Sequence, residues 1–113
     1  MFLTISIVLA VACVLPAAGK LLGSTKMRQS ATRFEIPWRK YQSIALAEIV
    51  AAAGVVIGLR WLAVGLVGAI GMFVLLLGAL RYHRKAKDDA KEMSPALAAL
   101  AITIAYLAVA IAR

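Results

Sequence analysis

Three stretches of this chain, Phe2 to Gly19, Trp61 to Leu80 and Pro95 to Ala112, contain no Asp, Glu, Lys or Arg at all. A fourth, Ile44 to Leu59, holds a single charge, Glu48. An α-helix rises about 1.5 Å per residue and needs roughly 20 apolar residues to cross ~30 Å of hydrocarbon. Each run is close to that length once Pro37, whose fixed φ suits a first helical turn, is taken as the start of the second. A spanning segment must satisfy its own backbone groups, so the runs are helices or the strands of a closed barrel. Barrel strands alternate in polarity over about 10 residues, and these runs do not alternate. The expected fold is all-α, a bundle of four transmembrane helices over residues 2–19, 37–59, 61–81 and 95–112, forming a single integral membrane domain over 1–113.

Composition excludes the soluble alternative. Hydrophobic residues make up 64% of the 113 positions, against roughly 45–50% in a water-soluble domain. Lys and Arg nevertheless outnumber Asp and Glu by 13 to 5. The excess is confined to two connections. Lys20, Lys26, Arg28, Arg33, Arg39 and Lys40 lie between the first and second helices, and Arg81, Arg84, Lys85, Lys87 and Lys91 between the third and fourth. With an even number of crossings between them, both connections fall on one side of the membrane, leaving only Arg60 and Arg113 on the other. The positive-inside rule puts residues 20–43 and 81–94 in the cytoplasm and both termini outside, in a multi-pass protein of the plasma membrane. The first run lacks the basic start of a secretory signal peptide, its first cation being Lys20, so it is expected to remain as a mature helix.

Phe34, Trp38, Tyr41, Trp61 and Tyr82 fall near helix ends, where amphipathic rings prefer the headgroup region. Phe34, Trp38 and Tyr41 are spaced to share one face of an interfacial turn, with Arg33 and Lys40 directed at anionic headgroups. No recognition motif accompanies the basic connections, and lipid contact explains their charge without nucleic acid. Lipid offers no hydrophobic drive to helix association, so small residues mark the expected contacts. These are Ala47, Ala51, Gly54 and Gly58 in the second helix, Gly65, Gly68, Gly71 and Gly78 in the third, and the stripe Ala98, Ala101, Ala105, Ala108 and Ala112 in the fourth. The stripes suit either packing within the bundle or a homo-oligomer interface. Arg60-Trp61 is so short a connection that the second and third helices must form an antiparallel hairpin.

Few residues carry chemistry. One Cys and one His, far apart, cannot assemble a zinc or haem site, and Cys13 reads as a small buried hydrophobe. No nucleophile, base and orienting acid emerge from the spacing, so no catalytic residue is assigned and no cofactor is implied by motif. Asp88, Asp89 and Glu92 read as solvated members of a mixed charge run. Glu48 differs, because an isolated carboxylate at a helix centre costs about 2.5–3.5 kcal/mol on insertion scales. Lys20, at the end of the first helix, is the natural partner. It closes a polar stripe, Ser6, Cys13 and Lys20, spaced by seven. Lys20 and Glu48 are therefore the candidate intramembrane polar site, either as a packing pair or as a place for a proton or a ligand headgroup. His83, within Arg81-Tyr82-His83-Arg84-Lys85, is the secondary candidate, set against its reading as part of a solvated basic cluster at a helix C-terminus. Pro16 should bend the first helix. Ser94 and Pro95 should cap and begin the last. Thr103 and Tyr106 share a face of the last helix and suit hydrogen bonds between helices.

Gly19-Lys20-Leu21-Leu22-Gly23, Ile36-Pro37-Trp38, Ala47-Glu48, Ala53-Gly54-Val55-Val56-Ile57-Gly58, Leu77-Gly78-Ala79 and Tyr82-His83-Arg84 together resemble the DoxX-like family of small bacterial membrane proteins. The resemblance spans nearly the whole chain, and Lys20 and Glu48 fall where that family usually places a Lys and a Glu. It implies a four-helix protein of the bacterial inner membrane. The family's namesake is a subunit associated with thiosulfate:quinone oxidoreduction, and relatives are linked to redox-associated membrane complexes. The implied role is an accessory or quinone-contacting component, with a quinone or other apolar ligand and a partner membrane subunit. Two rivals stand beside it. One is a proton-coupled transporter of small molecules using Glu48; the other is a membrane enzyme acting on an apolar substrate with Glu48 as general acid or base.

Overall fold

The computed structural model describes residues 1–112; Arg113, counted above among the external charges, lies outside the described residues. Among the described residues the chain forms five helices, α1 Phe2–Leu22, α2 Thr25–Arg33, α3 Trp38–Ile57, α4 Leu62–Lys85 and α5 Ala90–Ala112. Four of them, α1, α3, α4 and α5, are long and apolar enough to cross a membrane. The fold is all-helical, and the short α2 is an addition to the expected architecture.

Helix ends explain where the boundaries differ from expectation. α1 runs past Gly19 to Leu22 and stops at Gly23, whose φ of 73° is the left-handed conformation a helix terminus requires. The N–H groups of Gly23 and Ser24 then donate back to the carbonyls of Lys20 and Gly19, at 3.3 and 3.1 Å. Pro16 lies inside α1 without ending it. Ser24 opens α2 at once, its Oγ accepting from the Met27 N–H at 3.2 Å. α2 closes at Phe34, with Glu35 at φ 58° and the Ile36 N–H donating to the Ala31 carbonyl at 3.0 Å. Pro37 sits immediately before α3 rather than within its first turn. α4 runs one turn beyond 81 and ends in the same manner as α2, with Lys87 at φ 60° and the Asp88 N–H donating to the His83 carbonyl at 3.0 Å.

The start of the last helix corrects the reading of Ser94 and Pro95. α5 begins at Ala90, and Asp89 does the capping, its Oδ1 accepting from the Glu92 N–H at 2.9 Å. Pro95 lies inside the helix and has no N–H to give the carbonyl of Lys91. The Ser94 hydroxyl donates to that carbonyl at 2.9 Å instead. The helix therefore continues through the proline.

The four long helices form a ring in which α1 packs on α3 and α5, and α4 packs on α3 and α5, while α2 lies against α1 and α3. Successive members run in opposite directions. The molecule is 41 Å long, which matches about 40–45 Å of bilayer including its polar faces. Leu9, Cys13, Val55, Ala69, Met72 and Tyr106 fill the centre. Val11, Leu15, Val50, Val67, Val74 and Ile111 face outward and are exposed. Apolar on both its inner and outer sides, this is a multi-pass membrane protein.

α3 and α4 touch through bare backbone. A Cβ on Gly68 would come 2.8 Å from the carbonyl oxygen of Ala51, and one on Gly65 would come 2.8 Å from the Cα of Gly58. No side chain fits at Gly58, Gly65 or Gly68, and a Cβ on Gly54 would press on the Cα of Gly68 at 3.3 Å. Gly71 and Gly78, expected in the same contact, have open space around them, and Ala47 is exposed. The Ala98, Ala101, Ala105, Ala108 and Ala112 stripe also points outward; Thr103, Tyr106 and Ala110 face the core in its place. The large ring of Tyr106 decides the face, because its hydroxyl lies over Gly58 and Gly65, where only glycines leave room.

Candidate intramembrane polar site

The spacing of seven in α1 turns Ser6, Cys13 and Lys20 toward the same side, and all three are buried in the bundle. On α3, Tyr41, Ala45, Glu48, Ala52 and Val55 make the facing surface. Where the two faces meet, Lys20 Nζ and Glu48 Oε1 form an ion pair, and each side chain is only 11% exposed. The Lys20 ammonium also sits 5.1 Å from the centroid of the Tyr41 ring. The end of α1 is tied to the start of α3 by Gln42, whose Nε2 donates to the carbonyls of Lys20 and Leu21 at 3.3 and 3.4 Å. Those carbonyls belong to the last turn of α1, which has no helical partner for them. The pair thus sits on two helices whose relative position is independently fixed. Where water is scarce, opposite charges attract more strongly and lone charges cost more.

His83 is elsewhere. It is separated from the Lys20–Glu48 pair by the rings of Tyr41 and Phe34, whose centroids are 6.5 Å apart, and Phe34 meets the His83 ring edge-on at 5.0 Å. His83 Nδ1 is 2.6 Å from Asp88 Oδ2. Arg33 reaches the same carboxylate with two nitrogens, Nε at 3.0 Å from Oδ1 and Nη2 at 3.1 Å from Oδ2. Two expectations are corrected here. Asp88 is not a solvated charge, since its side chain is 5% exposed. Arg33 is not turned toward headgroups but clasps the α4–α5 connection. Desolvation works to raise the Asp88 carboxyl, but the hydrogen bonds from His83 and Arg33, and their charges, outweigh it and hold it below its usual range. Nothing local in the sequence announces this contact, because Arg33 and Asp88 are 55 positions apart. The aromatic grouping of Phe34, Trp38 and Tyr41 does form, with Trp38 and Tyr41 5.9 Å apart. It forms across the bend at Glu35 rather than on one helical turn.

A small cleft of about 80 Å³ opens beside this cluster, lined by Arg33, Phe34, Glu35, Tyr82, Lys85 and Ala86. Among the described residues no three His, Cys, Asp or Glu side chains are grouped to hold a metal ion. What the Lys20–Glu48 pair offers chemically is one strong hydrogen-bond donor beside one strong acceptor, at the junction of two helices.

In comparison with known proteins, the model of the DoxX-like family fits residues 4–109, nearly the whole chain. No curated protein and no solved structure matches.

Proposed function

The chain belongs to the DoxX-like family, and on that premise we propose that it is an accessory component of a redox-associated membrane complex, with Lys20 and Glu48 forming the site that meets a quinone or a similar apolar ligand. The observation that carries this reading is the ion pair itself, a donor and an acceptor largely enclosed between α1 and α3 and backed by the Tyr41 ring. Intramembrane ionisable residues are costly to keep and mark ligand or ion sites by default. The donor set suits a quinone headgroup: an ammonium can donate to a carbonyl oxygen, and a carboxylate can accept from a hydroxyl. A bound quinone would supply the capacity to take up and release electrons and protons. The residues of this chain would hold its polar end in register while the apolar faces of α1 and α3 receive its tail. In this reading the connections 20–43 and 81–94 are cytoplasmic and a partner membrane subunit carries the redox centre.

The test is titration of a short-chain quinone into the purified protein in lipid nanodiscs. Wild-type protein should bind it saturably, and Glu48→Gln should weaken binding by about tenfold, the loss of one charge-assisted hydrogen bond at ~1.5 kcal/mol. Partitioning into the discs without saturation, unchanged by the substitution, would refute the quinone reading.

A further inference from the structure

α2 is the element that the four-span architecture does not require. Its sequence, Thr25-Lys26-Met27-Arg28-Gln29-Ser30-Ala31-Thr32-Arg33, is polar except at Met27 and Ala31, and through these two, of which Ala31 is buried, it packs as a helix against α1 and α3. Thr25, Arg28, Gln29 and Thr32 follow the i, i+3, i+4, i+7 spacing of one helical face. Together with Arg33 they line an open groove of about 410 Å³.

Arg28 is held in place within it. Its Nε donates to the Gly23 carbonyl at 3.3 Å, and its guanidinium lies 4.6 Å from the centroid of the Trp38 ring. A guanidinium fixed on two sides keeps its other N–H groups aimed and loses little freedom on binding an anion. Arg33, at the end of the groove, is engaged with Asp88, so Arg28 is the groove's free anion-binding group. Lys26 on α2, with Arg39 and Lys40 at the start of α3, adds exposed positive charge nearby. Beside this basic face, Leu21 and Leu22 at the end of α1 are 38% and 86% exposed. They stand where a membrane-spanning helix leaves the hydrocarbon.

We infer that the α2 groove is a docking site for the headgroup of an anionic phospholipid, its phosphodiester on Arg28, Thr25 and Gln29 and its acyl chains along Leu21 and Leu22. Charge complementarity selects the headgroup. The adjoining exposed leucines select a lipid over a free anion, because a soluble phosphate gains nothing from them.

Trp38 reports on the groove directly. In a Trp61→Phe background, so that Trp38 is the remaining tryptophan, the full chain is reconstituted into phosphatidylcholine vesicles containing a small fraction of lipid with brominated chains. Brominated phosphatidylglycerol should quench Trp38 more than brominated phosphatidylcholine at equal fraction, and added salt should shrink the difference. Each cation lost near a membrane surface should reduce the preference by about fivefold. Arg28→Gln should therefore nearly abolish it, and Lys26→Gln, whose side chain is exposed, should weaken it without touching the Gly23 and Trp38 contacts. Equal quenching by both lipids would overturn the inference. So would a preference that survives both substitutions, or one that inorganic phosphate removes at an ionic strength where chloride does not, since the groove would then be a site for free phosphate.

Discussion

Gly58, which caps the end of α3, and Gly65 on α4 face each other so closely that a methyl group on Gly65 would come 2.8 Å from the Cα of Gly58. The Tyr106 hydroxyl lies over the same point, 2.9 Å from where a Cβ on Gly58 would be. Neither helix can yield without separating the hairpin. Gly58→Ala and Gly65→Ala should each lower stability by about 1–3 kcal/mol, the cost of overpacking a filled contact. Gly71→Ala is the contrast. It meets nothing within 4 Å and should be neutral or stabilising by up to about 1 kcal/mol, since Ala is the better helix former. Thermal unfolding in mild detergent checks all three.

Arg33, His83 and Asp88 tie α2 to the α4–α5 connection, and the strength of the tie depends on the Asp88 charge. Its carboxyl is held below the usual 3.8 in the folded protein. A group lowered on folding contributes stability that is present above its unfolded pKa and is lost as pH falls through the folded one. The clasp should thus be intact at neutral pH and release as pH falls below the usual carboxylate range. Melting temperatures measured from neutral pH downward should fall more steeply below the usual carboxylate range in wild type than in Asp88→Asn. Parallel curves would show that the contact adds nothing to stability.

Glu35 and Lys87 both hold a left-handed backbone, at φ 58° and 60°, immediately after α2 and α4. A side chain in that conformation costs roughly 1–2 kcal/mol relative to a glycine. Glu35→Gly and Lys87→Gly should each raise the melting temperature, with a net gain of about 1 kcal/mol or less once the added freedom of the unfolded chain is counted. Destabilisation by either change would mean that its side chain contributes more than the backbone strain costs.

The charge asymmetry of the connections predicts which side faces the cytoplasm. In a Cys13→Ser background, a membrane-impermeant thiol reagent applied to intact cells should label a cysteine placed at Arg60 and leave those at Lys26 and Lys87 unlabelled. The opposite pattern reverses the orientation.

Where the sequence was legible and where it was not follows from the range of the forces involved. Charge-free runs reveal spanning helices because the cost of a charge in hydrocarbon acts on every residue of the run. Glu48 pointed to Lys20 because a lone acid needs a cation at its own depth, and α1 has no other. α2 stayed hidden because a nine-residue segment with only two apolar side chains carries no apolar stripe; only the Ser24 cap and the Met27–Ala31 spacing hinted at it. The alanine stripe of α5 faces outward instead of into the bundle, because small residues permit close packing without demanding it. Tyr106, which needs a glycine-lined recess, demanded the other face. The clasp between Arg33 and Asp88 depends on three-dimensional closure, and no local pattern encodes it.

The central claim is that Lys20 and Glu48 are a paired site and not merely two charges that pack. It is tested most directly by quinone binding to the Lys20→Met, Glu48→Gln double variant in nanodiscs, with the two single variants measured for stability alongside. Removing one partner strands the other where water is scarce, so each single change should destabilise more than the double change. The coupling should exceed about 0.5 kcal/mol, beyond what independent sites show. In the double variant, folded and stable again, saturable binding should still be absent. Binding that returns with stability, or stabilities that simply add, would contradict the account and leave the pair as scaffolding.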